Sequence, residues 1–144
     1  MIDKSNKPSK FQSWILASRP RTLPAALVPV MVGSALAIYQ GIFFPAYSIV
    51  ALLCSILIQI GTNFTNDLYD HLKGSDTKER KGPLRVLASG LISVKEMKWG
   101  IFLVFFTAFL LGLYLVYSVG LVILWIGILS IIAGLAYTAG PFPL

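Results

Sequence analysis

Asn63-Phe64-Thr65-Asn66-Asp67-Leu68-Tyr69-Asp70 places two amides and two carboxylates at helical intervals. Asn63 to Asp67 and Asn66 to Asp70 are i, i+4 pairs and Asp67 to Asp70 is i, i+3, so a continuous helix carries all four on one face. If an apolar helix ends there, its dipole is already negative at that end and the two carboxylates repel each other. A divalent cation resolves both conflicts. Magnesium suits the donor set, because it takes one or two carboxylates and completes its octahedron with water and phosphate oxygens. Asp76, just beyond Gly74, is placed to approach the same ion. Lys73, Lys78, Arg80, Lys81 and Arg85 surround the acids, and Gly82-Pro83 and Ser89-Gly90 are turns that can fold the segment back over the helix end. Acids, metal and cations are together the parts that clamp a phosphate or diphosphate and stabilise it as a leaving group.

The elements that must position this cluster are strongly apolar. No Asp, Glu, Lys, Arg or His occurs from Thr22 to Asn66 or from Trp99 to Leu144. Each block is roughly twice the ~20 residues that a helix needs to cross a bilayer, so each is expected to cross twice. Composition agrees: 56% of residues are hydrophobic and 12% charged, with a mean hydropathy of +0.78. The expectation is an all-α, polytopic membrane bundle of about four helices, with residues 1–144 as a single membrane domain and no room for a separate soluble one. Cys54, the single cysteine, lies inside a span, which rules out an internal disulfide or cysteine-based metal site and reads as packing.

The net charge of +6 does not point to nucleic acid. All 12 Lys and Arg fall within residues 1–21 and 67–98, the two segments that share one side of a four-span bundle. The positive-inside rule makes that side cytoplasmic. Tyr39, Tyr47, Tyr114, Tyr117 and Trp125 gather near the uncharged turns and Trp14 and Trp99 near the basic side, as in an aromatic belt.

In chain order, Met1 to Gln12 reads as a loose basic lead on the membrane surface. A cleaved signal is a poorer reading, since Pro24 and Pro29 interrupt its apolar part and further spans follow. The expected spans run from about Thr22 to Tyr39, kinked at Pro29, then Ala46 to Phe64, Met97 to Tyr117 and Leu121 to Thr138. Ser93-Val94-Lys95-Glu96 is a capping box that opens the third.

Plainer readings fit some of these residues. A mixed-charge loop that only fixes topology and solubility accounts for the central segment, and a lone His71 in such a loop is simply solvated. The spacing of Asp67, Asp70 and Asp76 does not make an EF-hand. A transporter subunit would use Asp67 and Asp70 for a cation, but such sites sit near mid-membrane, where this chain has no ionisable group. A non-catalytic membrane scaffold is the remaining alternative.

Three stretches in order decide between these readings. Asn63 to Asp70, continued by Lys73-Gly74-Ser75-Asp76 and Gly82-Pro83-Leu84-Arg85, resembles the first aspartate-rich motif of the UbiA-type intramembrane prenyltransferases. Ser18-Arg19-Pro20-Arg21-Thr22-Leu23-Pro24 and Ala136-Tyr137-Thr138-Ala139-Gly140-Pro141 resemble the branch that prenylates 1,4-dihydroxy-2-naphthoate in menaquinone synthesis. The resemblance implies a polyprenyl diphosphate donor, an aromatic acceptor and Mg2+ between acids and diphosphate. It implies metal binding by Asn63, Asp67, Asp70 and Asp76, and diphosphate binding by Asn66, Lys73, Arg80 and Arg85, with Asp67, Asp70, Lys73 and Arg85 as the catalytic set. It leaves open whether Arg19 and Arg21 meet substrate or lipid, and whether the acceptor is the naphthoate or another ring such as 4-hydroxybenzoate. Members of that family carry about nine helices and a second acidic motif in a C-terminal half. Residues 1–144 alone are therefore expected to be inactive without it.

Overall fold

The computed structural model describes residues 8–74 and 86–139, and all of its regular elements are helical. They are α1 (Lys10–Ser18), a 3-10 turn (Pro20–Thr22), α2 (Pro24–Tyr39), α3 (Pro45–Leu72), α4 (Val94–Val119) and α5 (Leu121–Ala139).

The first helix corrects the expectation of a loose lead for Ser9 to Gln12, while residues 1–7 of that stretch lie outside the described residues. Ser9 and Gln12 form a reciprocal capping box, with Gln12 N–H donating to Ser9 Oγ at 3.2 Å and Ser9 N–H to Gln12 Oε1 at 2.8 Å. Ser13 and Ala17 are buried, so this short helix is docked rather than surface-bound. It stops at Arg19, whose left-handed backbone (φ 49°, ψ 68°) returns its N–H to the Leu16 carbonyl. Pro20 and Pro24 then open the 3-10 turn and α2, each at a helix start where a missing N–H costs little.

The expected spans are also adjusted. Helices α3 and α4 are each long and apolar enough to cross a membrane, whereas α1 and α2 meet that test only as a pair bent by 54°. Helix α5, Leu121–Ala139, keeps close to the bounds expected of the fourth span. At 1.5 Å per residue, the 16 residues of α2 extend only about 24 Å against a ~30 Å hydrocarbon layer. By the same measure the 28 residues of α3 extend about 42 Å, so roughly two turns project beyond the layer. The projecting part is the acidic end. Its continuation through Leu72 puts Asn63, Asn66, Asp67 and Asp70 on one helix, as the spacing predicts, and moves His71 from a loop onto its last turn.

Helix α3 is the hub and contacts α1, α2, α4 and α5. Along the spans, residues such as Val28, Val32, Leu36, Trp125 and Leu129 are exposed, which suits hydrocarbon rather than water. The dry core lies instead at the basic side, where Phe64 and Leu68 of α3 meet Val86, Leu87, Leu91 and Ile92 of the connecting segment and Met97 of α4. Gly90, at φ +67°, makes the turn that folds this segment back, in line with the expected Ser89-Gly90 turn; Gly82-Pro83 lies outside the described residues. The capping box at Ser93 forms as expected, with Ser93 N–H donating to Glu96 Oε2 at 2.8 Å.

The α3–α4 crossing is close at Gly61, where a Cβ would stand 2.7 Å from Phe105 Cζ. Gly61→Val is expected to overpack this crossing and destabilise the bundle by about 1–3 kcal/mol, read as a lower melting temperature in detergent.

Candidate functional site

The site is built where the α1–α2 elbow meets the projecting end of α3. Asn63, buried, donates from Nδ2 to the Ser18 carbonyl at 2.8 Å and to Thr22 Oγ1 at 2.9 Å. Thr22 Oγ1 in turn donates to the Arg19 carbonyl at 2.9 Å. These bonds hold on α3 the one non-glycine residue with positive φ among the described residues, Arg19. A left-handed conformation is unfavourable for such a side chain and persists where surrounding contacts over-determine it.

The elbow aims the Arg19 guanidinium at the acids. Nη2 lies 3.9 Å from Asp67 Oδ1, and Asp67 is only 3% exposed. With the Asn66 amide oriented by its neighbours, Oδ1 accepts from Arg19 Nη1 at 3.1 Å and Nδ2 donates to Asp70 Oδ2 at 3.0 Å. Arg19, Asn66 and the two aspartates therefore form one network. A buried carboxylate needs such a counter-charge, because losing its solvation is costly.

Of the residues picked out by spacing, Asn63, Asn66, Asp67 and Asp70 are brought together, and Lys73 follows as the exposed C-cap of α3, where a cation meets the negative helix end. Asp76, Arg80 and Arg85, with Lys78 and Lys81, lie outside the described residues. Asn63 has a role that spacing did not suggest: its Nδ2 is spent on the elbow, so Oδ1 is the atom suited to a metal. Arg19, undecided in the sequence, is a full member of the cluster. The signal for it was Arg-Pro at the end of a capped helix, which marks a break where an arginine can be redirected.

The donor set fits a hard cation. Two carboxylates and the Asn63 amide oxygen match the oxygen preference of magnesium, while no group of three or more His, Cys, Asp or Glu that could hold a metal ion occurs among the described residues. Lys10 is occupied elsewhere, bonding Glu96 Oε2 at 2.8 Å and the Leu91 carbonyl at 3.1 Å, and so ties α1 to the start of α4.

Below the acidic end, a cavity of about 400 Å³ opens between α2, α3, α4 and α5, lined mainly by apolar residues such as Ala51, Ile58, Leu113, Val116 and Ile123. The polar cluster thus begins, at Asn63, one helical turn above an apolar cavity, since Gln59 of the lining precedes Asn63 by four residues.

An acidic helix end of this kind over an apolar helical bundle matches a known class, and the chain belongs to the UbiA prenyltransferase family, whose model matches residues 26–144. It is an integral membrane protein. The chain is similar to 1,4-dihydroxy-2-naphthoate octaprenyltransferase of Haemophilus influenzae, 43% identical over 152 residues that cover 99% of this chain and 49% of that protein. The enzyme of the same name from Escherichia coli is 42% identical, covering 94% of this chain and 46% of that protein. UbiA prenyltransferase domain-containing protein 1 of Dictyostelium discoideum is 31% identical over 94% of this chain and 43% of its own length. The chain spans about half the length of the curated relatives it matches. No solved structure matches it.

Asn63→Ala removes both bonds that seat the elbow. A loss of about 1–3 kcal/mol is expected in metal-free protein, seen as a lower melting temperature together with faster amide exchange across residues 18–23.

Proposed function

We propose that the protein transfers a polyprenyl group from polyprenyl diphosphate to 1,4-dihydroxy-2-naphthoate, releasing diphosphate and carbon dioxide and forming a demethylmenaquinol. The observation that carries this reading is the Arg19–Asn66–Asp67–Asp70 network standing about two helical turns above an apolar cavity. That arrangement suits a ligand with a doubly anionic head and a hydrocarbon tail. The naphthoate as acceptor rests on the names of the bacterial relatives, which favour it over 4-hydroxybenzoate and over a scaffold or transporter role.

In this proposal Asp67, Asp70 and Asn63 Oδ1 hold Mg2+, with Asp76 as a further ligand, and Asn66 joins the groups that bind the diphosphate. The bound metal supplies positive charge that stabilises the departing diphosphate. Arg19 and Lys73 add cationic donors, and Arg80 and Arg85 complete the clamp on the diphosphate oxygens. As the allylic C–O bond breaks, its electron pair leaves with the diphosphate. The apolar cavity walls hold the chain and keep water from the allylic cation. The ring carbon that bears the carboxylate forms the new C–C bond, and the electron pair of the breaking C–CO2 bond restores the aromatic ring. The site faces the cytoplasm of a bacterial plasma membrane, with the N-terminus and the acidic helix end on that side, as the distribution of basic residues supports.

Asp67→Asn, in protein expressed from its complete reading frame, is expected to lower Mg2+-dependent prenyl transfer by on the order of a hundredfold or more, the scale of losing one charge-stabilising group. Near-normal turnover would remove Asp67 from the metal set. Membranes carrying the protein are expected to prenylate 1,4-dihydroxy-2-naphthoate but not 4-hydroxybenzoate, and the opposite preference would overturn the acceptor assignment.

A further inference from the structure

Four side chains with polar atoms line the apolar cavity: Cys54, Ser55, Gln59 and Ser130. Three are spent on backbone carbonyls. Ser55 Oγ donates to the Ala26 carbonyl at 2.9 Å, near the point where Pro29 breaks the α2 ladder, Ser130 Oγ donates to Ile126 at 2.8 Å, and Cys54 Sγ approaches Ala108 O at 3.6 Å. Gln59 alone of the four makes no hydrogen bond among the described residues, although it is half-buried in the middle of α3. A primary amide has two donors and an acceptor that keeps two lone pairs, and within hydrocarbon each lacks the water that would satisfy it. Such a residue in a membrane span is costly and marks a place where a polar group arrives from elsewhere.

The identity of that group follows from position. Gln59 stands about 12 Å of helix rise below Asp67, on the same face through Asn63. Helical side chains also lean toward the N-terminus, which carries the Gln59 amide further from the acids. The diphosphate is held at the acidic end and cannot be bonded at both depths. The polyprenyl tail has no polar atom to offer. Among the groups that the two substrates bring, those that remain are the polar groups of the aromatic acceptor. We propose that Gln59 is a specificity-determining residue that hydrogen-bonds a hydroxyl group of the aromatic acceptor, holding the ring in the cavity below the leaving diphosphate. The inference rests on the transfer reaction proposed above.

The test uses protein expressed from its complete reading frame, with Gln59→Leu as a near-isosteric apolar variant. Transfer rates are measured with 1,4-dihydroxy-2-naphthoate and with its two monohydroxy analogues, 1-hydroxy- and 4-hydroxy-2-naphthoate. The expected result is a fall of about tenfold or more in kcat/KM for the dihydroxy acceptor, the scale of one hydrogen bond to a neutral partner, while KM for polyprenyl diphosphate stays within about twofold. Wild type should lose further rate with the analogue that lacks the recognised hydroxyl, and in Gln59→Leu that extra loss should vanish. The variant should also melt no lower than wild type, because an unsatisfied amide has left the hydrocarbon. A lower melting temperature with equal losses for all three acceptors would make Gln59 a structural residue and overturn the proposal. So would an unchanged kcat/KM, or a change confined to KM for the diphosphate. If wild type transfers to no naphthoate at all, the reaction itself is misassigned, an outcome distinct from active wild type with an indifferent Gln59.

Discussion

A carboxylate that is only 3% exposed, on the end of a helix with no other charge in its first twenty residues, governs the architecture of the basic side. Asp67 cannot be buried there alone, and the helix dipole makes its position worse. The counter-charge comes from Arg19, which reaches it because α1 ends in a left-handed residue and the chain turns by 54° into α2. Asn63 and Thr22 fix that turn to the same helix that carries the acid. Charge, counter-charge and the bonds that hold the counter-charge in place therefore form a closed set around two turns of α3.

This set explains why the densest packing lies at one end. In hydrocarbon, apolar side chains gain little by turning inward, since lipid is as apolar as a neighbouring helix. At the membrane surface water returns, and hydrophobic burial regains its force. Val86, Leu87 and Ile92 accordingly fold onto Phe64 and Leu68, which flank Asp67 on α3. The same layer that dries the base of the site holds α3 against α4, so the spans can stay lightly packed while the acidic end is held in place.

Much of this was legible in the residues. The spacing of Asn63, Asn66, Asp67 and Asp70 required only that the helix continue past the apolar run, and it does. The Ser93 capping box located the start of α4 because capping is a local interaction. The matching box at Ser9 and Gln12 was equally local, but the lysines around it and its place before the first apolar run drew the stretch toward a loose lead. The role of Arg19 was not legible, since it depends on contacts across more than forty residues, to Asn66 and Asp67. Span length also escaped composition: an apolar block shows how much chain is hydrocarbon-soluble, not where helices break within it. Pro20 and Pro24 place that break, and α2 is short because of it.

The position of the apolar cover in the chain has a consequence for biosynthesis. Arg19 leaves the ribosome before Asp67, so its partner is present as soon as the acidic end of α3 is made. The residues that cover this end, Val86 to Met97, follow 19 to 30 residues later, roughly one to six seconds at ordinary rates of synthesis. During nascent-chain insertion the site is thus electrically balanced first and sealed from water afterwards. The emerging α3 can present its charged end at the membrane surface with a counter-ion already tethered to it, and the seal closes only when the next helix begins to enter the bilayer.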